Sequence, residues 1–225
     1  MAKKKPMLAF DINETLLSLA PIRERLEGIF GEDPPTGEWF SKMLHGSLVA
    51  NDLDQYRDFS EIGVEALLAV AAKHGVSLKG EAAEEVVAAM RRLPPHPEVY
   101  NALERLFDAG FVMIALTNGG TASANAQIEN AGLHIFVRRV VSVEEVRRFK
   151  PDALPYRHAA QLMEVDVGEM MLVAAHDWDC AGAMAAGAQA AYVNRPGSVW
   201  GLPVDPPPMV VGDIKELADA LVTKR

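Results

Sequence analysis

A four-residue apolar run, Met7-Leu8-Ala9-Phe10, ends abruptly at the polar segment Asp11-Ile12-Asn13-Glu14-Thr15. A short apolar strand that stops on a carboxylate leaves that carboxylate at a strand end, and the pattern of the remaining chain says what kind of sheet the strand joins. From Leu16 to about Arg92 the sequence is helical in pattern, with almost no strand-like runs. Glu38 to Ala50 and Phe59 to His74 carry apolar residues at three- and four-residue spacing, Gly75 closes the second, and Glu81 to Arg92 reads as a further helix. Pro94-Pro95-His96-Pro97 then punctuates the chain.

After the prolines the pattern alternates. Glu98 to Ala109 reads as a helix ended by Gly110, Phe111 to Leu116 as a buried strand, Thr117 to Gly120 as a turn and Thr121 to Ala131 as a helix. Val137 to Val141 (strand), Ala153 to Glu164 (helix), Met170 to Ala175 (strand) and Asp179 to Ala186 (helix) follow. Ala190 to Asn194 is a last strand and Ile214 to Val222 a final helix. Strands alternating with helices imply an α/β fold with a parallel sheet covered on both faces. Residues 1–15 and 96–225 then form the core, and 16–95 a helical insertion after the first strand, placed as a cap.

Composition narrows the function classes. Of 225 residues, 49% are apolar, enough for a buried core and too many for a disordered chain. The longest apolar stretches, Val64 to Ala72 and Ala181 to Val193, are too short and too interrupted for a membrane span. Lys3, Lys4 and Lys5 read as a solvated tail, because only Met7 to Phe10 follows them before Asp11. The single cysteine, Cys180, allows no intramolecular disulfide, fits the cytoplasm and reads as a small packing residue. A net charge of −9 argues against a nucleic-acid partner but allows a small anionic substrate at a locally positive site.

Open α/β sheets bind ligands beyond the carboxyl ends of their strands. That rule selects Asp11, Thr117-Asn118 and His176 to Asp179, all polar and all following apolar strands. A strand-end carboxylate can act as a covalent nucleophile, and the backbone N–H groups of the turn after it, beginning at Ile12, can stabilise developing negative charge.

In order, Phe10-Asp11-Ile12-Asn13-Glu14-Thr15-Leu16-Leu17, Leu116-Thr117-Asn118-Gly119, Phe149-Lys150-Pro151 and His176-Asp177-Trp178-Asp179 resemble the haloacid dehalogenase superfamily, and more narrowly its L-2-haloacid dehalogenases. The resemblance spans nearly the whole chain. It implies a Rossmann-like core with a helical cap, and hydrolysis of small 2-haloalkanoic acids to 2-hydroxy acids through an aspartyl ester on Asp11, with no metal. It also implies roles. Thr117 would donate to the nucleophile or the substrate carboxylate, and the Asn118 amide toward the leaving halide. Lys150 would keep Asp11 ionised. Asp179 would bond the lysine and help with hydrolytic water. Tyr156 and Trp178 would line the site, Asp177 would lie outside it, and a homodimer is implied by analogy.

Three positions depart from the family's pattern. Phe40 follows Trp39 where many members have arginine, so a halide-stabilising cation is missing; Arg23, Arg25 and Arg57 are the other candidates for that role. Phe40, Trp39, Phe59 and Met43 make this side of the cap apolar. His176 replaces a frequent asparagine, with Ala174 two residues earlier where serine is common; the imidazole would contact substrate or halide, or assist hydrolysis. Asn13 stands where dehalogenases often have an aromatic residue and the superfamily's Mg²⁺-dependent phosphatases need an acid. Asparagine cannot protonate a leaving alkoxide, whereas halide leaves unprotonated. A phosphatase using Mg²⁺, and a family member that binds without dehalogenating, are the alternatives.

Overall fold

The structure, a computed structural model, describes residues 5–223. β1 (Met7–Phe10) lies inside a six-stranded sheet of order β3-β2-β1-β4-β5-β6, with β2 (Met113–Thr117), β3 (Val140–Ser142), β4 (Met170–Ala174), β5 (Gln189–Val193) and β6 (Met209–Val211). Every pairing is parallel. β1, β2 and β4 are buried at every residue, which is why they read as continuous apolar runs and not as alternating ones. Successive side chains still part to opposite faces. Leu8 and Phe10 join a core that includes the helical residues after β1, whereas Met7 and Ala9 join the core on the other face.

The described residues include nine α-helices. α1 (Ala20–Phe30), α2 (Thr36–Asp52), α3 (Phe59–Lys73) and α4 (Gly80–Ala89) come consecutively after β1, and α5 (Val99–Asp108) returns the chain to the sheet. α6 (Thr121–Asn130), α7 (Ala153–Leu162) and α8 (Asp177–Ala185) make the crossovers from β2 to β3, β3 to β4 and β4 to β5, and α9 (Ile214–Thr223) follows the last strand. Trp39 of α2 is fully buried and its indole N–H donates to the Gly63 carbonyl of α3 at 2.9 Å, which ties the two helices together. Asp58 caps α3 by accepting from the Ser60 N–H at 2.7 Å, and Gly75 ends that helix at φ 71°, a left-handed conformation that glycine adopts without a Cβ clash. The outgoing and returning chains lie side by side: Ser18 N–H donates to Pro94 O, and His96 N–H to Leu16 O, each at 2.9 Å.

The sheet and the alternating helices match the reading from sequence, with differences at element ends and in two elements; β2, for one, runs Met113–Thr117 and takes in Thr117, which reads as turn. β3 starts at Val140, because Val137 N–H is still turned back to Leu133 O and Arg138 N–H makes an isolated bond to Met113 O. α8 begins at Asp177, two residues early, placing Asp177 and Asp179 in its first turn, where the helix dipole favours carboxylates. β6 was too short to read, and α1 lacked a separate signal. Lys5 is exposed, while Lys3 and Lys4 lie outside the described residues. No helix among the described residues is long and apolar enough to cross a membrane.

Candidate active site

Asp11 is seated by the sheet itself. Its N–H donates to Val173 O at 3.0 Å, one step past the β1–β4 ladder, so the side chain emerges at the carboxyl end of two central strands. The turn after it closes on Ile12, whose carbonyl accepts from Leu16 and Leu17 at 2.9 and 3.0 Å. Asp11 is 5% exposed. Its Oδ1 accepts from Lys150 Nζ at 2.9 Å. Its Oδ2 accepts from Thr15 Oγ1 at 2.8 Å and lies 3.2 Å from His176 Nδ1. The Thr15 hydroxyl also accepts from Ala175 N–H at 2.9 Å, joining the turn after β1 to the residue after β4.

Lys150 is fully buried, and its three N–H donors have three acceptors: Asp11 Oδ1 and Leu116 O at 2.9 Å, and Asp179 Oδ2 at 2.5 Å. The backbone that carries it is clamped twice. Asn118 Oδ1 accepts from Lys150 N–H at 2.8 Å and Asn118 Nδ2 donates to Lys150 O at 3.3 Å. Asn51, at the end of α2, does the same for the preceding residue, accepting from Phe149 N–H at 2.9 Å and donating to Phe149 O at 2.8 Å. Asp179 is completed by Tyr156, whose hydroxyl donates to Oδ1 at 2.6 Å.

Electrostatics follow from this enclosure. Burial pushes Asp11 up, but Lys150 and His176 outweigh it and hold the carboxyl well below its usual range, so it is ionised at neutral pH. Burial opposes the Lys150 charge, yet Asp11 and Asp179 raise its pKa and keep it an ammonium. Burial, with Asp11 close by, raises Asp179, against the pull of Lys150 and the Tyr156 hydroxyl. His176 is also disfavoured as a cation by burial, but its hydrogen bond to Asp11 and the nearby Glu14 carboxylate prevail and raise it to about 9. At neutral pH Asp11 is an anion held between two cations, the Lys150 ammonium and the His176 imidazolium.

His176 lies between two rings. Phe40 stacks on it at 5.3 Å with planes 12° apart, and Trp178 at 5.2 Å and 27°. Lys150 Nζ is also 5.9 Å from the Trp178 ring centre. The aromatic residue in the arginine position therefore packs onto the histidine in the asparagine position. The cation at Asp11 Oδ2 comes from the core. Arg23 pairs instead with Glu27 and Asp33, Arg57 with Glu61, and exposed Arg25 lines an outer groove with Pro21 and Glu85.

The remaining residues named from the sequence have the following partners. Thr117 Oγ1 accepts from Gly119 N–H at 3.1 Å; the hydroxyl donating to Asp11 is that of Thr15. Both polar atoms of the Asn118 amide are engaged with the Lys150 backbone. Tyr156 touches Asp179. The Ile12 side chain is fully buried in the core, and Asn13 Oδ1 accepts from Gln127 Nε2 at 2.8 Å. Asp177 spends its oxygens on the N–H groups of Trp178 and Gly201. Cys180 is buried, with Sγ 3.7 Å from Ala174 O and Ala191 O, and burial pushes its thiol up. Sequence reasoning gave no role to Asn51, Glu14 or Arg195, which grips Thr15 O at 2.6 Å and Glu98 at 2.9 Å. Only Glu14, inside the first motif, carried a signal that could have found it.

The residues do not fit a magnesium ion. The ammonium of Lys150 already bridges Asp11 and Asp179, where a divalent ion would have to sit, and position 13 offers an amide engaged with Gln127. Among the described residues no group of three or more His, Cys, Asp or Glu is arranged to hold a metal.

A buried carboxylate at the end of β1, a buried lysine from a downstream loop and an acidic residue at the start of α8 form one charged site on this α/β fold, the setting of a hydrolase. The sequence profile of the haloacid dehalogenase-like hydrolases matches residues 7–187, and the chain belongs to that family. It is similar to (S)-2-haloacid dehalogenase H-109 of Pseudomonas putida, 27% identical over 220 residues that cover 96% of this chain and 97% of the relative. It is also 28% identical to the (S)-2-haloacid dehalogenase of Pseudomonas sp. strain YL, covering 86% of this chain and 84% of that one. The fold superposes on the L-2-haloacid dehalogenase of Xanthobacter autotrophicus, solved with chloropropionic acid covalently bound, with a TM-score of 0.90, 23% identity and coverage of 99% and 100%.

Proposed function

We propose that this hydrolase converts small 2-haloalkanoic acids to 2-hydroxy acids. The observation that carries the reading is the buried Lys150 ammonium 2.9 Å from Asp11 Oδ1, which keeps a nearly inaccessible carboxylate charged and therefore nucleophilic. Asp11 attacks C2 of the acid, the carbon–halogen bond breaks with its electron pair leaving as halide, and an ester forms. Water then adds to the Asp11 carbonyl carbon, the 2-hydroxy acid departs and the carboxylate is restored. Side chains and water suffice for both steps. The names of the relatives support the substrate class and the (S) configuration.

Asn13 argues against phosphatase work, because its amide cannot supply the proton that an alkoxide leaving group needs, an effect generally worth about 10²–10⁴ in rate. The proposal includes residues 16–95 as the cap, with Phe40 as its contact to the site, a cytoplasmic location and a homodimer; sedimentation of the purified chain tests the last. Chloride release from separate samples of L- and D-2-chloropropionate, in EDTA, tests the activity. Release from the L form alone, abolished in Asp11→Asn, is expected. Release that survives in Asp11→Asn removes the nucleophile assignment.

A further inference from the structure

We propose that the cleft running from Asn13 to Arg91 is a subsite for a second acidic group, so that the best substrates of this site are 2-halodicarboxylates with a short chain between the two carboxylates. The inference rests on the dehalogenase reading above and names a substrate class within it.

The cleft starts beside the nucleophile. Asn13, two residues after Asp11, lines a cavity between the turn after β1, α6 and the helices that follow β1. The inner end is polar. Asn13 is 8% exposed, its Oδ1 is taken by Gln127 Nε2, and its Nδ2 has no acceptor among the described residues. The walls are apolar and come from Met43 of α2, Phe59 of α3, Val87 of α4 and Met90. The outer end is polar again, at Ser123 and Arg91. This inner cavity measures about 30 Å³, room for about two water-sized groups. It shares Ser60, Val87 and Arg91 with an outer groove of about 500 Å³.

α6 sets the distance between the two polar ends. Gln127 Nε2 donates to Asn13 Oδ1 at 2.8 Å and to Met90 O at 3.0 Å, so the residue before Arg91 is tied to Asn13 through one nitrogen. Ser123, one turn earlier on the same face of α6, accepts from Arg91 Nε at 3.1 Å. Helix positions four apart are about 5–6 Å from each other, which puts the guanidinium on the order of 6 Å from the Asn13 amide. A chain of about two or three carbons beyond C2 brings a carboxylate within reach of it.

The charges favour an anion at this point. Arg91 is the one charged side chain lining the inner cavity. Its Nε holds Ser123, while its two terminal nitrogens have no acceptor among the described residues. That leaves the planar fork that matches a carboxylate. Arg57, in the outer groove, is paired with Glu61 at 3.2 Å. Glu61, Glu65 and Glu84 are exposed and line the outer groove, not the inner cavity. Of the nearby carboxylates, Asp58 caps α3 and Glu144 accepts from Thr121 N–H at 2.8 Å.

The first carboxylate cannot be the group that Arg91 serves. It is one bond from the carbon that Asp11 attacks and stays beside the nucleophile. Arg91 lies past Asn13 along the cleft and meets only an acid carried further along the chain, with the intervening methylenes against the apolar walls. The overall reaction is the same: the halodicarboxylate and one water give the 2-hydroxydicarboxylate, one halide and one proton.

Chloride release from L-2-chlorosuccinate and L-2-chloroglutarate, compared with L-2-chlorobutanoate and L-2-chloropentanoate of matching length, tests this. We expect kcat/KM to favour each diacid by about 10-fold, the lower end for a hydrogen bond to a charged group because Arg91 is exposed. Arg91→Gln should bring that ratio to about one and Arg91→Lys should keep part of it. Arg92→Gln should keep all of it, since Arg92 lines a neighbouring groove and not this cavity. Added salt should weaken the preference in wild type and leave Arg91→Gln unaffected. Glutarate should also inhibit wild-type turnover of L-2-chloropropionate more strongly than pentanoate, and this comparison decides the matter if Arg91→Gln fails to fold. A wild-type preference for the monoacids overturns the proposal, and so does a diacid preference that survives Arg91→Gln. Chloride from L-2-chloropropionate with no diacid preference defeats this inference and leaves the dehalogenase reading standing. Absence of chloride from every one of these acids defeats that reading, and the inference with it.

Discussion

Asn118 and Lys150 are joined by two hydrogen bonds, from the Lys150 N–H to Oδ1 at 2.8 Å and from Nδ2 to the Lys150 carbonyl at 3.3 Å. The end of β2 thereby fixes the backbone of a residue that comes 32 positions later, and the lysine side chain is aimed by that backbone. Asn118→Ala should cost about 1–3 kcal/mol by leaving a buried N–H without an acceptor. It should also lower kcat by about 10²-fold, the usual penalty for a reacting group displaced by 1 Å. Urea denaturation beside chloride release checks both; a stability loss with unchanged kcat would remove the positioning role.

Lys150→Met takes the ammonium from between two buried carboxylates. Breaking a buried ion pair on one side costs about 3–5 kcal/mol. The pH dependence should change as well. Asp11 has a depressed pKa in the fold, so it contributes stability that is present above its unfolded value of about 3.9 and lost as pH falls through the folded value. Without Lys150 that contribution shrinks, leaving only what His176 supplies. The wild-type protein should lose stability on acidification to pH 4 and below, and the variant should lose less or gain. Parallel urea titrations at pH 7 and pH 4 measure the difference.

Gly182 of α8 packs on the loop that carries Lys150. A Cβ there would lie 2.7 Å from Pro151 O and 2.8 Å from Pro151 Cα, both backbone atoms that cannot swing aside. Gly182→Ala should destabilise by about 1–3 kcal/mol through overpacking. Because Pro151 follows Lys150 directly, activity should fall further than stability alone explains. Chloride release measured well below the melting temperature separates the two effects.

The strand-end residues were legible because parallel sheets write their strands as unbroken apolar runs, so Asp11, Thr117 and His176 announce themselves as the polar residues that stop them. Lys150 was legible through its place before Pro151 and its match to a family motif. The hydrogen-bond partners were not legible. Thr15 and Thr117 are chemically equivalent, and only the turn closing on the Ile12 carbonyl decides which hydroxyl reaches Asp11. Asn51 sits at the end of a helix 98 positions before Phe149, and nothing local marks an amide that will clamp a distant loop. β6 has three residues, half-exposed in part, and offers no run long enough to read.

His176 gives the alkaline side of the stability profile. Its pKa rises in the fold from 6.5 to about 9, through Asp11 and Glu14 working against burial. A raised pKa means stability that is fully present below about 6.5 and lost as pH climbs through about 9. Wild-type protein should therefore weaken between those values, and His176→Asn should show a flatter profile over the same range. Chemical denaturation at half-unit steps from pH 6 to pH 10 makes the comparison. Equal slopes would show that the histidine is uncharged in the native state.

Phe40→Arg tests whether the cation at this site can come from either side. The sequence suggests that restoring arginine would help turnover. The structure adds a conflict, since position 40 stacks on His176 at 5.3 Å and a guanidinium there would face an imidazolium. Like charges disfavour each other, so the arginine should pull the His176 pKa down from about 9. The single variant should lose the ring contact and show its alkaline decline at lower pH. Phe40→Arg combined with His176→Asn removes the repulsion, places one cation at the nucleophile and leaves no imidazole to titrate. The double variant should release halide in the burst phase faster than His176→Asn alone and without an alkaline limb. pH profiles of the burst phase for the two single variants and the double variant decide it. A double variant no faster than His176→Asn would mean that Phe40 is needed for its ring and that a cation from the cap does not substitute.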